Sequence, residues 1–371
     1  MNSERLLAQF LDLVQIDSES GNERAVAEYT MKELEQMGFA VETDEAGQTI
    51  GGNSGNVIAK LKGNAAYKSV FFCAHMDTVK PGCGVKPQIK DGIIYSDGTT
   101  VLGGDDKGGI SAILEGTRSF LAEQKKHGDI QIVFTIAEEG GLNGAKALKY
   151  EELWPIDGAF FFDSEDDASH VTVKAPVHYD FSCKFTGKAA HAGMEPEKGV
   201  NAIAVAAEAV SGMLLGRIDE DTTANIGLIS GGKATNIVPE EALIEGEARS
   251  MDEEKVLMQM KHMREVCENA AFKYGAWAKV TIEKSHDGID VPLDSTAAQM
   301  VTAACRKLGK EVSFIKSGGG SDANIMNGKG IPAVNIGVGM SNVHTTAEYI
   351  AIKDLEIAAQ MVEKLLEAAC D

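Results

Sequence analysis

The chain of 371 residues lacks the features that would place it in a membrane, on a nucleic acid or among disulfide-bonded proteins. No apolar run approaches the roughly 20 residues that a membrane-spanning helix needs. Acidic residues outnumber basic ones, 56 to 35, and the net charge of -21 argues against nucleic acid, whose phosphates are neutralised by Lys and Arg. The six cysteines form no Cys-x-x-Cys pair, so we expect reduced thiols.

Two further absences narrow the chemistry and the location. No Gly-x-Gly-x-x-Gly or Gly-x-x-x-x-Gly-Lys-[Ser/Thr] motif opens a helix, which argues against a redox or nucleotide-dependent enzyme. Residues 1–5 lack the basic start that precedes the apolar stretch of a secretory signal, so a cytoplasmic location is expected. Histidine is scarce, at eight residues, so the position of each one is informative.

Alternating strand-like and helix-like segments predict the fold class. Continuous apolar runs such as 130–136 and 158–162 are typical of strands covered on both faces, and hence of an α/β domain with a mostly parallel sheet. At the start of the chain, Ser3 and Asn22 are predicted to cap two helices.

The order of elements changes between about residues 177 and 284. Strand, helix, strand, strand, helix and strand follow one another there, which is the βαββαβ or ferredoxin-like arrangement. We therefore predict an inserted α+β domain at 177–286. The outer domain is then discontinuous, at 1–176 and 287–371.

Imidazole and carboxylate side chains follow several of the predicted strands. They are His75, Asp77, Asp105, Glu138, Glu139, Asp163 and His344. Ligands of open α/β sheets sit beyond the carboxyl ends of the strands, so these side chains are expected to meet. One such histidine alone is better interpreted as structural, but the group suits a pair of divalent cations, most naturally zinc. Such a pair activates water against an acyl or phosphoryl centre, so the set predicts a two-metal hydrolase.

The spacing of these residues suggests which of them bind metal, which orient a ligand and which act as a base. His75 and Asp77 are two apart, so one can bind metal while the other orients it. Asp105 lies in a glycine-rich turn, where its carboxylate can bridge two cations. Glu138 and Glu139 would point apart on any regular element, leaving one free as a general base. The alternative for this pair is a solvated helix start, which the helix dipole favours.

Three blocks in order resemble a known family. His75-x-Asp77, Gly104-Asp105-Asp106-Lys107-Gly108 and Glu138-Glu139-Gly140 are similar to blocks of the co-catalytic zinc exopeptidases. That family includes peptidase T, glutamate carboxypeptidase, aminoacylase and succinyl-diaminopimelate desuccinylase. The segments 74–79 and 318–322 bring the chain nearest to the peptidase T-like branch.

The resemblance implies a role for each residue of the set. Asp105 would bridge the metals, His75 and Asp163 would complete one site, and Glu139 and His344 the other. Asp77 would orient His75, and Glu138 would be the general base that deprotonates a bridging water. Two divalent ions are implied, most naturally Zn²⁺, although Mn²⁺ and Co²⁺ accept the same ligands.

The resemblance implies that 1–176 and 287–371 form a di-metal catalytic domain and that 177–286 form a lid and dimerisation domain. It also assigns residues of this lid and of a glycine run. His191 would stabilise the oxyanion, in its own or a partner's active site. Asn236, Arg249 and Gly319 would contact substrate, the arginine through a carboxylate. Judged by residue type and local sequence alone, Asn236 can instead shape a turn, Arg249 can be an ordinary surface residue, and Gly319 can permit a tight turn.

The sequence thus predicts a metal-dependent exopeptidase for small peptides, an aminopeptidase of the tripeptidase kind. An N-acyl amino acid hydrolase or a carboxypeptidase would use the same metals with a differently shaped pocket. A non-catalytic peptide- or metal-binding protein is a further alternative, against which an unligated base at Glu138 argues. The expected partners are a small peptide and a second copy of the chain, bound through the lid, with no nucleic acid and no membrane.

Overall fold

Seventeen strands and ten α-helices form the computed structural model, which describes all 371 residues. The strands are β1 Ala40–Thr43, β2 Val57–Leu61, β3 Val70–His75, β4 Gln88–Lys90, β5 Ile93–Tyr95, β6 Ile130–Thr135, β7 Gly158–Glu165, β8 His170–Ala175, β9 Val177–Thr186, β10 Gly216–Arg217, β11 Thr222–Gly231, β12 Glu241–Ser250, β13 Trp277–His286, β14 Ile289–Asp290, β15 Ser313–Lys316, β16 Ala333–Ser341 and β17 Tyr349–Ala351. The helices are α1 Ser3–Val14, α2 Arg24–Gln36, α3 Ala46–Ile50, α4 Gly104–Ala122, α5 Asn143–Ala147, α6 Ala202–Gly212, α7 Glu253–Tyr274, α8 Thr296–Lys307, α9 Asp322–Gly328 and α10 Ile352–Ala368. No helix is both long and apolar enough to cross a membrane.

The chain divides into two units. The larger unit comprises Met1–Lys174, Ile289–Ser317 and Ser321–Asp371, and the smaller unit comprises Ala175–Gly288 and Gly318–Gly320. The prediction from sequence set the smaller unit at 177–286 and left the glycine run in the other domain. The run joins the smaller unit because Gly320 approaches His286 so closely that a Cβ atom there would lie 2.5 Å from Nε2 of the imidazole.

The sheet of the larger unit is parallel at its centre and antiparallel at its edges. Its main path runs β1-β2-β6-β3-β7-β16-β17-β5-β4, with β8, β14 and β15 attached beside β16. The four central strands β6, β3, β7 and β16 are parallel to one another. Every residue of β3 and β6 is buried, which explains their continuous apolar sequence. The predicted α/β class with a mostly parallel central sheet is confirmed.

Helices α4 and α10 pack against each other at a glycine. A Cβ atom on Gly116 would lie 2.4 Å from the carbonyl oxygen of Ala359 and 2.6 Å from Cβ of Val362. Backbone cannot rotate away as a side chain can, so the two helices depend on the absence of a side chain at this point.

We expect Gly116→Ala to destabilise the fold. Overpacking costs about 1–3 kcal/mol, whereas the better helix propensity of alanine returns at most about 1 kcal/mol. Urea denaturation followed by circular dichroism measures the loss. Gly227→Ala is the matched control, because that residue is exposed and a Cβ atom there meets only ordinary contacts. Equal stability of both variants and the wild type would contradict the packing described.

The smaller unit is an antiparallel sheet with two helices. The strand order is β10-β11-β12-β9-β13, and β9, β12 and β13 pair antiparallel over their lengths. Helices α6 and α7 bury their apolar residues with the inner face of the sheet in one core. The predicted βαββαβ order is present, with the two-residue strand β10 added at the edge.

Both predicted helix caps were wrong. The side chain of Asn2, rather than Ser3, caps α1 by accepting a hydrogen bond from the Arg5 N–H at 3.0 Å. Helix α2 begins at Arg24 after Glu23, and no side chain caps it. Asn22 therefore lies before the cap position, and the carboxylate of Glu23 is engaged elsewhere.

Candidate metal centre and active site

The candidate residues of the larger unit lie beyond the carboxyl ends of the four central parallel strands. His75 is the last residue of β3, and Asp163 lies near the end of β7. Glu138 and Glu139 follow β6, and His344 follows β16. Such ends are where open α/β sheets bind ligands.

Two triads of ligand-type side chains share Asp105. In the first, His75 Nε2 lies 3.0 Å from Asp105 Oδ1 and 3.7 Å from Asp163 Oδ1. In the second, His344 Nε2 lies 3.2 Å from Asp105 Oδ2 and 3.0 Å from Glu139 Oε1. Each triad has ligand atoms within 4.8 Å of one another. The carboxylate of Asp105 thus offers a different oxygen to each triad, as a bridging ligand must.

The loop that carries Asp105 is held by a buried glutamate. Glu348 accepts hydrogen bonds from the Gly103 N–H at 2.8 Å and from the Asp105 N–H at 3.0 Å. Asp105 has a ψ of 100°, outside the helical range, although it lies in the first turn of α4. Because Glu348 lies four residues after His344, one short segment holds Asp105 both by its side chain and by its backbone.

Glu348→Ala is expected to weaken metal binding at both triads by about 10–100-fold, which is the usual effect of removing a residue that hydrogen-bonds a metal ligand. The variant leaves two buried N–H groups unpaired, and Asp105 loses its fixed position. Titration of the metal-free protein with Co²⁺, followed by absorption, measures both affinities. Glu363→Ala is the control, because Glu363 is also buried but pairs with Lys364 and the N-terminal amine. Unchanged cobalt binding by the Glu348 variant would contradict this role.

Asp77 fixes the orientation of the His75 ring. Nδ1 of His75 lies 3.0 Å from the Asp77 carbonyl oxygen and 3.4 Å from its Oδ1. Nδ1 therefore carries the hydrogen when the imidazole is neutral, and the lone pair of Nε2 points into the first triad. This geometry agrees with the predicted orienting role of Asp77.

The prediction that Glu138 and Glu139 point apart was wrong. A carboxylate oxygen of each lies within 4.8 Å of the other and of a His75 nitrogen. The two residues lie in a turn after β6, and Ala137 before them has a φ of +49°, so the alternation of a regular element does not apply. Nor is the pair a solvated helix start, because Glu138 is buried and the next helix, α5, begins at Asn143.

Burial and mutual repulsion shape the charges of the site. Burial, reinforced by the charge of Asp163, raises the pKa of Glu138 well above its usual value. Burial also raises the pKa of Asp163 to about 7, although His75 opposes the shift. Burial opposes ionisation of Asp105 too, but hydrogen bonds from His344 and His75 lower its pKa.

The donor set fits a pair of divalent cations. Two imidazole nitrogens and several carboxylate oxygens are ligands that Zn²⁺, Mn²⁺ and Co²⁺ accept. Carboxylates that repel one another in a buried place are stabilised by such cations. Asp105 would be shared, with His75 and Asp163 on one side and Glu139 and His344 on the other.

Several supporting residues were missed by the sequence analysis. Asn335 clamps the backbone of Asp163, since its Oδ1 accepts from the Asp163 N–H at 3.0 Å and its Nδ2 donates to the carbonyl at 2.6 Å. Asp322 is buried and accepts from Thr135 Oγ1 at 2.5 Å, and burial raises its pKa to about 6. Asp322 lies in the segment 318–322 that resembles the peptidase T-like branch, but no local pattern gives either residue its role, because each partner is more than 150 residues away in the chain.

The predicted lid residues lie in the smaller unit. His191 is exposed, and its Nδ1 accepts a hydrogen bond from the Gly193 N–H at 3.1 Å. Neutral His191 therefore carries its hydrogen on Nε2, which makes that nitrogen a donor. The backbone carbonyl of Asn236 accepts from the Ala192 N–H at 3.0 Å, so the loop of Asn236 holds the turn of His191.

Arg249 is partly engaged by a neighbour. Its Nε and Nη2 donate to the two carboxylate oxygens of Glu247 at 3.1 and 2.9 Å. The same carboxylate lies 3.1 Å from His178 Nε2, and the hydrogen bond from His178 is the largest cause that lowers the pKa of Glu247 to about 2. Gly319 lies in the glycine run that belongs to the smaller unit, and its neighbours Gly318 and Gly320 have no positive φ.

Comparison with known proteins supports the family resemblance that the three sequence blocks suggested. Residues 71–368 match peptidase family M20/M25/M40. The structure is similar to that of a tripeptidase from Staphylococcus aureus, with 42% identity, a TM-score of 0.94 and coverage of 100% and 99% of the two chains. It is also similar to aminopeptidase PepT from Bacillus cereus, with 40% identity, a TM-score of 0.91 and full coverage of both chains. Peptidase T from Vibrio cholerae is 28% identical over 98% of this chain and 97% of its own. The predicted resemblance to the peptidase T-like branch is confirmed.

Proposed function

The chain belongs to peptidase family M20/M25/M40, and from that premise we propose that it is a metal-dependent aminopeptidase that acts on tripeptides. The observation that carries the proposal is the pair of triads that share Asp105. The names of the two solved relatives, an aminopeptidase and a tripeptidase, support the substrate class because each is at least 40% identical along the whole chain.

The proposed chemistry is hydrolysis of an amide by activated water. Asp105 with His75 and Asp163, and Asp105 with Glu139 and His344, would hold two divalent cations, most naturally Zn²⁺, which would make a bound water more acidic and polarise the scissile carbonyl. Glu138 takes the proton of the attacking water and later returns it to the leaving amine. Its position suits this task, because the carboxylate is buried and lies within 4.8 Å of a His75 nitrogen and a Glu139 oxygen.

The smaller unit supplies the remaining groups in this proposal. His191 donates from Nε2–H to the oxygen that becomes negative during attack, where removing one donor typically costs on the order of 10²–10³ in rate. Arg249 binds a substrate carboxylate with the N–H groups that Glu247 leaves free, since a guanidinium has five and two are engaged. Asn236 and Gly319 contribute further substrate contacts. His191 acts in its own site or in that of a partner.

We further propose a homodimer through the smaller unit, in the cytoplasm. Strand β11 pairs with β12 along its length, but β10 covers its other side only at Thr223 and Ala224. The exposed side chains of Leu228 and Ile229 lie on this open edge, which suits pairing with a second copy. Light scattering after size-exclusion chromatography tests this: a monomer with full activity would contradict the dimer.

A panel of tripeptides tests the proposed function. The same tripeptide is supplied free, N-acetylated or C-amidated, with Zn²⁺, Mn²⁺ or Co²⁺, and released amino acids are measured by chromatography. We expect release of the N-terminal residue only from peptides with a free amine, and loss of all cleavage with a chelator. Cleavage of N-acetylated peptides alone would instead establish an acyl-amino-acid hydrolase or carboxypeptidase. No cleavage with any metal would favour the non-catalytic binding protein.

A further inference from the structure

Three consecutive backbone N–H groups, those of residues 137–139, are held by two buried carboxylates. Asp77 accepts from the Glu138 N–H at 2.9 Å and from the Glu139 N–H at 3.2 Å. Glu23 accepts from the Ala137 N–H at 3.1 Å. The two carboxylates therefore hold the backbone of the turn that carries Glu138, the proposed base, and Glu139, a proposed metal ligand.

Glu23 belongs to an N-terminal loop that contacts the site at several points. Ser20 Oγ donates to Asp77 Oδ2 at 2.6 Å, and the Thr78 N–H donates to the Ser18 carbonyl at 3.0 Å. The Gly82 N–H donates to Glu19 Oε1 at 3.0 Å. This loop, residues 18–23, precedes residue 71, where the family match begins, so the match assigns it nothing.

The side chain of Glu23 binds backbone N–H groups rather than capping its own helix. It stands at the N-cap of α2 but makes no capping hydrogen bond, and its side chain is fully buried. Its Oε1 accepts from both the Gly21 N–H at 2.7 Å and the Ala137 N–H. Ala137 has a φ of +49°, which residues with a side chain rarely adopt, so this backbone needs to be held in place.

We propose that Glu23 is a positioning residue for peptide hydrolysis: by holding the Ala137 N–H it aims Glu138 at the attacking water and Glu139 at the second triad. The inference rests on the proposed function. Small displacements of reacting groups are costly, because a misplacement of about 1 Å can lower a rate 10²-fold. A merely structural Glu23 would instead change stability and leave the turnover of folded, metal-loaded protein unchanged.

Three substitutions of Glu23 separate these roles. Glu23→Ala removes the acceptor, and Glu23→Asp keeps the charge but is one methylene too short to reach both donors. Glu23→Gln keeps Oε1, the single oxygen that accepts both hydrogen bonds, removes the charge and replaces the unpaired Oε2 by an NH2 group. Glu115→Ala is the matched control, because Glu115 is equally buried and holds Asn2 and Arg5 away from the site.

The experiment measures kcat and KM on a tripeptide at saturating metal, and Co²⁺ binding to each metal-free variant by absorption. We expect kcat to fall about 10–100-fold in the Ala and Asp variants with KM little changed, and one of the two cobalt sites to weaken. The Gln variant should recover most of kcat and cobalt binding, and Glu115→Ala should retain the wild-type values of both. If the Ala variant does not fold, kcat, KM and Co²⁺ binding of the Asp variant test the positioning role instead.

Wild-type kcat and cobalt binding in the Ala or Asp variant would overturn the positioning role. So would a Gln variant as impaired as the Ala variant, or a loss of kcat equal to that of Glu115→Ala. Failure of the proposed function is a different result, because the wild type itself would then hydrolyse no tripeptide or bind no cobalt.

Discussion

Replacing Glu138 by Gln is expected to abolish peptide hydrolysis while both metal ions remain bound. Gln has nearly the shape of Glu but cannot accept the proton of the attacking water, and a general base is typically worth 10²–10⁴ in rate. Steady-state hydrolysis of a tripeptide gives the rate, and mass spectrometry of the elements in the dialysed protein gives the metal content.

Glu139→Gln is the matched control for the Glu138 variant. It is the same substitution one residue later, at a side chain whose oxygen lies 3.0 Å from His344 Nε2. We expect it to lower metal content, with activity partly restored by excess metal. If instead Glu138→Gln lost metal and Glu139→Gln lost only turnover, the roles of the two residues would be reversed.

Replacing Asp105 by Ala is expected to remove both metal ions and bring hydrolysis to background. The carboxylate gives one oxygen to each triad, so its loss affects both, whereas any other ligand belongs to one triad. Metal content per chain and tripeptide hydrolysis at increasing Zn²⁺ measure the effect.

His344→Ala is the control for Asp105→Ala, because it removes a proposed ligand that belongs to one triad instead of both. His344 contacts Asp105 and Glu139 but belongs only to the second triad. The variant should keep one metal ion per chain and recover part of its activity in excess metal. An Asp105→Ala protein that keeps one ion, with affinity like that of His344→Ala, would contradict the bridging role.

The placement of the candidate ligands could be predicted because it follows from a geometric regularity. Strands of one parallel sheet end at one edge, so residues that directly follow apolar runs come together there. His75, Asp163 and Glu138 were found in this way. The resemblance of the three blocks grouped the candidate ligands as Asp105 with His75 and Asp163, and Asp105 with Glu139 and His344, which are two of the three clusters in the structure.

The supports of the site could not be predicted because they are contacts between distant residues. Glu348 reaches Asp105 over 243 positions, and Glu23 reaches Ala137 over 114. Nothing in the local pattern of either glutamate distinguishes it from a solvated one. Arg249 pairs with Glu247, which lies two residues before it on the same face of β12. The sequence alone does not show which of its neighbours on that face the arginine will contact, because the choice depends on packing.

The wrong predictions concern two helix caps and one turn. Ser3 and Asn22 were assigned as caps from residue type alone, but Asn2 takes the first position and Glu23 is drawn to Ala137 at the second. Glu138 and Glu139 were treated as part of a regular element, although the positive φ of Ala137 turns the chain. The first cap is a local choice between adjacent residues, whereas Glu23 and the turn of Ala137 are linked by a contact between distant parts of the chain.

The most direct test of a two-metal peptidase is restoration of activity in metal-stripped protein. Release of the N-terminal residue from a free tripeptide is measured as Zn²⁺ is added in known equivalents. We predict no hydrolysis without metal, and a rise that is complete when both triads are filled, at two ions per chain. Full hydrolysis by protein shown to contain no metal, or no hydrolysis once two ions are bound, would contradict the proposed function.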